Sequence, residues 1–343
     1  MTPTKPGRTT LVDVARLAGV DKAVVSRVIN SDPALVIRPE TRERVLAAVR
    51  ELDYRPNIAA RSLRTSKAAT LGLVIPDFAN PVYAQIITGA ESAALARGYV
   101  LVTGSSSGNR TGPRRYLELL GQGRVDGLLL AGGQLTAADQ SMLATLGLPW
   151  ILVNRHGGRT WNRHVTLDDT HAAAIAVNHL LDLGHSRVAH VAGPAGADTA
   201  RRRRSGYVKA LKSAGVTPED VETAAGDYTP GGGAEATAKL LDEGPAPTAI
   251  FVANVAMAVG VLNTLRRRGL RVPEDVSVVA VHDLPLAEHL VPALTTVRMP
   301  LQTLGARAVD LLLRTPPDQP VEEVVGDETV LVIRESTAAP SGQ

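Results

Sequence analysis

Apolar side chains recur at three- and four-residue spacing near the start of the chain, then change after residue 70 to short continuous runs separated by longer stretches. Leu11, Val14, Ala15 and Ala18 make one stripe of a short helix. Val24, Val25 and Val28 make another, and Val45, Ala48, Val49 and Leu52 a third, over about 39–52. Between the first two stands Ala18-Gly19-Val20, where glycine lets the chain turn through positive φ without a Cβ clash. Asp21 follows at an N-cap position, its carboxylate ready for the free N–H groups of the second helix. Two short helices at a tight turn plus a closing third helix are what a helix-turn-helix reader of DNA needs. The plainer alternative is a three-helix bundle with a solvated basic face.

From Thr70 the period changes. Leu71–Ile75, Tyr99–Val102, Val125–Leu130 and Trp150–Val153 read as strands, with helices over Val82–Arg97, Pro113–Leu120 and Ala137–Leu146. A second round follows, with strands near Val188–Ala192, Thr248–Val252 and Val276–Val281. Its helices fall near His171–Leu183, Arg201–Ala214, Gly233–Asp242 and Ala256–Arg268. Continuous aliphatic strands alternating with helices predict parallel sheets covered on both faces and joined by right-handed crossovers. The expected fold is an N-terminal all-α helix-turn-helix head plus an α/β body of two doubly wound parallel-sheet lobes.

Charge sharpens this division. Residues 1–67 hold thirteen Lys or Arg against seven Asp or Glu, whereas the remaining residues are net acidic by three. A basic module attached to a near-neutral body is the footprint of phosphate contact. With no cysteine, disulfides and thiolate metal sites are excluded, and nothing calls for a metal or cofactor. The first residues lack the apolar core of a signal peptide, and no apolar run is long enough to span a membrane, so a cytoplasmic protein is expected.

On the predicted recognition helix, Lys22, Ala23, Ser26 and Arg27 lie where side chains meet base edges; Arg27 can bond guanine bidentately. Pro56-Asn57 opens a further short helical segment in which Leu63 stands between Arg61 and Arg64. An apolar side chain framed by arginines suits a minor-groove wedge with phosphate contacts beside it, the alternative being that Leu63 packs on a neighbouring domain. The residues expected on DNA are Thr10, Lys22, Ala23, Ser26, Arg27, Asn30, Tyr54, Asn57, Ala60, Arg61 and Leu63.

The run TLVDVARLAGV…VVSRVIN…RPETRERV…ELDYRPNIAARSL resembles the DNA-binding head and hinge helix of the lactose-repressor family. The likeness continues in order through NPVY (80–83), GYVLV (98–102), VDGLLL (125–130), HLLDLGHSRVAHVAG (179–193), RSGYVKAL (204–211), LTTVRMP (294–300) and VIREST (332–337). It implies two periplasmic-binding-protein-like lobes with chain crossings near 168, 297 and 328, Leu63 as an intercalating hinge leucine, and a homodimer on a pseudo-palindromic operator. The expected organisation is a DNA-binding domain over 8–55, a hinge helix over 56–67, and an effector-binding and dimerisation domain over 68–338. Within the last, the N-terminal lobe takes about 68–168 and 298–328, the C-terminal lobe about 169–297 and 329–338. The sequence departs from the family pattern at Asp21, Val24 and Arg38; Asp21 still caps, whereas Arg38 cannot. No leucine-heptad extension follows at the C-terminus, which favours a dimer over a coiled-coil tetramer.

Ligands of open α/β sheets sit beyond the carboxyl ends of the strands. The expected effector residues are therefore Asp77, Phe78, Asn80, Ser105, Asn154, Arg201, Tyr228, Asn254 and His282, with Asp283 beside the last. By resemblance, Arg201 matches an arginine that grips effector hydroxyls or carboxylates, and Tyr228 an aromatic that stacks on the ligand. Val255 and His282 stand where the family usually has acidic groups, which shifts the expected effector from a neutral sugar toward a sugar acid or sugar phosphate. The run Arg201–Arg204 also reads as a nucleic-acid patch, although its place at a helix start favours separate roles. The rival from another class is an enzyme, a small-substrate hydrolase or transferase on the doubly wound body. The first strand exit, IPDFANP, lacks a dinucleotide-binding glycine pattern, and no phosphate-binding P-loop occurs. The expectation is a ligand-controlled transcriptional repressor and not an enzyme.

Overall fold

A computed structural model of the protein describes residues 9–30, 32, 34–54, 67–106, 112–120, 123–131, 136–157, 161–217, 223–244 and 247–341. The chain divides into two units, Met1–Ala68 and Ala69–Gln343. In the first, α1 (Leu11–Ala18), α2 (Lys22–Ile29) and α3 (Pro39–Glu51) enclose a core of Val14, Ala15, Ala18, Val25, Val28, Val45, Ala48 and Tyr54. Leu11, Val24, Val49 and Leu52 pack at its margin, only partly buried. Local chemistry sets the helix ends. Thr10 and Asp13 cap α1 reciprocally, and Gly19 closes it at φ +65°. Asp21 caps α2 by accepting the Ala23 N–H at 2.7 Å. Arg38 precedes α3 without a side-chain cap, and Pro39 takes the first turn instead.

The second unit is built on two six-stranded sheets. The first contains β1 (Thr70–Ile75), β2 (Val100–Ser105), β3 (Gly127–Leu130), β4 (Trp150–Val153), β5 (Arg163–Leu167) and β11 (Val321–Val325), in the order β11-β5-β4-β3-β1-β2, all parallel. The second contains β6 (Val188–Ala192), β7 (Thr223–Ala225), β8 (Ala249–Val252), β9 (Ser277–Val281), β10 (Thr295–Arg298) and β12 (Val330–Val332). Its order is β12-β10-β9-β8-β6-β7, with only the β10–β12 pair antiparallel. The chain passes between the sheets three times: after β5, after β10 and between β11 and β12.

Helices α4 (Val82–Leu95), α5 (Gly112–Leu120), α6 (Ala137–Leu146) and α11 (Leu301–Arg314) serve the first lobe; α7 (Asp169–Asp182), α8 (Asp198–Ser213), α9 (Pro230–Glu243) and α10 (Val255–Arg267) serve the second. Aliphatic strands fill the interior, and α4 and α11 meet so closely that a Cβ on Gly89 or Gly305 would strike the opposing backbone.

Five strands, β5, β7, β10, β11 and β12, are not among those that the hydrophobic pattern predicts. One of them, β5, is fully buried yet contains Arg163 and His164. The Arg163 guanidinium donates to the carbonyls of Trp150, Thr315, Pro316 and Gln319, which satisfies a charged group inside the sheet. Helix α8 begins at Asp198, three residues before the sequence reading placed it, and Arg203 lies on its buried stripe with Ala200, Tyr207, Ala210 and Leu211.

Candidate DNA-reading face and effector cleft

Along α2, Ala23, Ser26, Arg27 and Asn30 follow the i, i+3, i+4, i+7 spacing of one helix face, with Lys22 beside them; Val25 and Val28 occupy the other face and fill the core. Lys22, Ala23, Arg27 and Asn30 are exposed and Ser26 is half-buried. Asn30 is held back on the helix by donating to the Ser26 carbonyl at 2.6 Å. Arg27 donates from Nε to the Asp32 carboxylate at 2.8 Å. Thr10 is engaged as the cap of α1, its Oγ1 donating to Asp13 at 2.6 Å. The Tyr54 ring belongs to the core of the unit. Asn57, Ala60, Arg61 and Leu63 lie outside the described residues.

Between the two lobes of the second unit is a cavity of about 550 Å³, within the range of small-molecule sites. Its walls come from the strand exits of both sheets: Pro76, Asp77, Asn80, Tyr83, Asn154 and Arg155 from the first, and Asp198, Thr199, Asp227, Tyr228 and Thr229 from the second. Three non-glycine residues after strand ends have positive φ: Asn154 at 61°, Tyr228 at 71° and His282 at 73°. Non-glycine residues adopt such backbone only where the surroundings enforce it, and they cluster at ligand sites. Asn154 is 7% exposed, and its Oδ1 has no hydrogen-bond partner among the described residues. An unmet acceptor beside a cavity is a place for a ligand donor. Tyr228 Oη and Thr199 Oγ1 bond at 2.8 Å.

Of the expected effector residues, the cavity thus brings together Asp77, Asn80, Asn154 and Tyr228. The other five are placed differently. Phe78 is exposed at the IPDFANP turn, which Asp77 and Asn80 fix by accepting the N–H groups of Ala79 and Val82. Ser105 Oγ donates to the Pro76 carbonyl. Asn254 is buried and spends its Oδ1 on the Met257 N–H as the cap of α10. Arg201, with a side chain 61% exposed, pairs with Asp198 on the outside of α8. His282 is buried below the cavity, accepting through Nε2 from Arg203 Nη2 at 3.1 Å.

The inward arginine of the four is Arg203, 2% exposed. It donates from Nε to Asp169 at 2.7 Å and from Nη1 to the Ala253 carbonyl at 2.5 Å. Burial disfavours its charge, but Asp169 outweighs that and raises its pKa. Burial and Arg203 together hold the His282 imidazole well below its ordinary value, so it stays neutral and able to accept. Arg202 binds Asp198, Asp169 and the Leu167 carbonyl at the first inter-lobe crossing.

Sequence reasoning also missed Tyr83, Arg155, Asp198, Thr199, Asp227 and Thr229. Two had a visible signal: Asp227-Tyr228-Thr229 is an Asx turn followed by a helix cap, in which Asp227 accepts the Thr229 N–H at 2.9 Å and Thr229 caps α9.

The run Gly104 to Gly108 has the spacing of a G-x-S-x-G nucleophile elbow. Its central Ser106 donates to the Ile75 carbonyl instead, and His282 is committed to Arg203 in the other lobe. No helix among the described residues is long and apolar enough to cross a membrane.

Residues 10–57 match the profile of the bacterial regulatory proteins of the lacI family, and residues 177–337 that of a periplasmic binding protein-like domain. The ribose operon repressor of Escherichia coli (strain K12) is 36% identical over 89% of this chain and 92% of its own. Catabolite control protein A of Priestia megaterium is 36% identical over the same two fractions. Among solved structures, the lac repressor dimer bound to operator and the anti-inducer ONPF superposes with a TM-score of 0.86 at 30% identity, covering 97% of this chain and 100% of that one. The complex of the transcriptional regulator CelR with cellobiose gives a TM-score of 0.72 at 34% identity, covering 96% and 100%.

Proposed function

The chain belongs to the lacI family of bacterial regulatory proteins, and on that footing we propose that occupancy of its inter-lobe cleft sets its grip on operator DNA. It is a sequence-specific DNA-binding transcriptional repressor that works as a homodimer with a small-molecule effector. Its relatives are regulators, not enzymes. We assign residues 8–55 to DNA reading, 56–67 to the hinge and 68–338 to effector binding and dimerisation, and place the protein in the cytoplasm with its operator. Lys22, Ala23, Ser26, Arg27 and Asn30 read the major groove, and two-fold symmetry makes the operator a pseudo-palindrome.

The observation carrying the effector reading is Asn154, a nearly buried amide with an unmet acceptor in a cavity walled by both lobes. The cavity's charges favour an uncharged, hydroxyl-rich effector such as a sugar. Asp77, Asp198 and Asp227 line it against Arg155. The expected sugar acid or sugar phosphate lacks its cation here: Arg201 points outward, and Arg203 is already neutralised by Asp169. Asp198 is paired with Arg201 and Arg202, but Asp77 and Asp227 still outnumber Arg155; they repel a phosphate and accept from hydroxyls.

Two measurements test this. Calorimetric titration with neutral sugars, sugar acids and sugar phosphates should give binding by a neutral sugar; binding by anions only overturns the effector class. Mobility shifts on duplex selected from a random library should show sequence-specific complexes that weaken steeply with salt and shift about 5–150-fold on adding that sugar. Binding that ignores sequence overturns the regulator reading.

A further inference from the structure

We propose that Asp32 is a positioning residue for DNA reading: by occupying Arg27 Nε, it presents the two terminal guanidinium nitrogens of Arg27 to a single base edge. The proposal rests on the reading of α2 as the DNA-reading helix.

Asp32 lies in the loop after α2 and is locked there by three bonds. Its N–H donates to the Arg27 carbonyl at 3.0 Å, its Oδ1 accepts the Ala34 N–H at 2.9 Å, and its Oδ2 accepts Arg27 Nε at 2.8 Å. The carboxylate is therefore a fixed post and not a second mobile side chain. The Arg27 hydrogen bond, with the Ala34 N–H, holds its pKa below the ordinary value, so it stays charged as DNA is approached.

Arginine has five donors in a planar fork. With Nε taken, the Nη1 and Nη2 edge remains, and that edge matches the O6 and N7 acceptors of guanine. An unbraced arginine on a helix surface loses much rotamer freedom when it docks; a braced one has lost part of it already. The same carboxylate also works against indiscriminate binding. It offsets the Arg27 charge that would otherwise reach a phosphate, and it repels backbone that approaches out of register. The Arg27 and Asp32 side chains are 48% and 31% exposed, and an ion pair that open to water contributes little to folding. Replacing Asp32 should therefore leave the head folded; Asp32→Ala also frees the Ala34 N–H, an exposed bond that Asp32→Asn can keep.

The experiment uses full-length protein and the duplex that wild type selects. Binding is measured by fluorescence anisotropy for every single base-pair substitution with wild type, Arg27→Ala, Asp32→Ala and Asp32→Asn. Arg27→Ala locates the base pair that Arg27 reads. Both Asp32 variants should lose about tenfold discrimination at that pair alone. They should also bind random-sequence duplex more tightly, with a salt slope steeper by about one as the released guanidinium gains a phosphate. Thermal unfolding of both should match wild type. Unchanged discrimination overturns the proposal, as does a loss spread evenly over all positions, which would mean that Asp32 only holds the loop. If wild type itself shows no base preference, the DNA reading of α2 fails, and that outcome is distinct from both.

Discussion

The Asp198 carboxylate, on the first residue of α8, accepts the backbone N–H of His156 from the opposite lobe at 2.9 Å. This bond closes one side of the cavity that Asp198 itself lines. Burial would raise the Asp198 pKa, but the His156 N–H and the Arg202 and Arg201 guanidiniums outweigh it and keep the group ionised. The carboxylate is thus both wall and clasp.

Asp198→Ala should therefore weaken effector binding even where the effector itself does not touch Asp198. The substitution removes the cross-lobe acceptor and leaves Arg202 with Asp169 as its remaining carboxylate. A charged hydrogen bond of this kind is worth about 1.5–3 kcal/mol. Calorimetry with the best neutral sugar should show Kd raised by about 10- to 150-fold. An unchanged Kd would mean that the lobes hold their relation without this bond.

Beneath the clasp, Asp169 has no exposed side-chain surface and pairs with Arg202 and Arg203, each at 2.7 Å. Asp169→Leu would leave Arg203 as a buried charge with no carboxylate against its Nε, at a cost of about 3–5 kcal/mol. Adding Arg203→Met removes the stranded charge and should restore most of that loss. Denaturant midpoints of the single and double variants check it. A double variant no more stable than the single would mean that the charge was relieved some other way.

Much of this was legible in the chain and some was not, for geometric reasons. The head could be read almost residue by residue, because its caps and turn are local: Gly19 and Asp21 act on their own neighbours. Strand exits were plain too, which placed Asn154 and Tyr228 on the cavity, but Ser105, Asn254 and His282 at other exits turn to partners that only the packed lobes bring near. The four arginines at 201–204 were ambiguous because successive helical residues differ by about 100°. Only Arg203 of the four falls on the face that α8 buries with Ala200, Tyr207, Ala210 and Leu211. His156 and Asp198 are 42 residues apart, and no periodicity links them. Likewise, β5 escaped notice because its arginine and histidine look like surface residues until the carbonyls around Arg163 are known.

Helix contacts give a sharper stability test. A Cβ on Gly305 would lie 2.1 Å from the Ile86 carbonyl oxygen, and one on Gly89 1.9 Å from that of Gln302. Both obstacles are backbone, so α4 and α11 would have to separate. Gly305→Val should cost about 3 kcal/mol or more. Thermal unfolding of the isolated second unit (69–343) would show it; a midpoint within 1 °C of the parent would refute the close approach.

The last prediction concerns acid. His190 is fully buried on β6 between Tyr207 and Phe251, with both ring centroids 4.8 Å away. Neither of its ring nitrogens has a hydrogen-bond partner among the described residues. Burial first, and then Arg204 and Arg203, push its pKa down to about 3 from an ordinary 6.5. Between those values the unfolded chain holds a proton that the folded one does not, so stability falls as pH drops from about 6.5 toward 3. Over the full window this shift corresponds to roughly 5 kcal/mol from this residue. His190→Leu removes both the titration and the two unmet nitrogens at similar volume. It should raise stability at pH 7 by about 1–3 kcal/mol and flatten the acid limb of the stability curve. Urea midpoints from pH 7 to 4 measure both, and a parallel curve with no gain at neutral pH would show that His190 is not charged by unfolding.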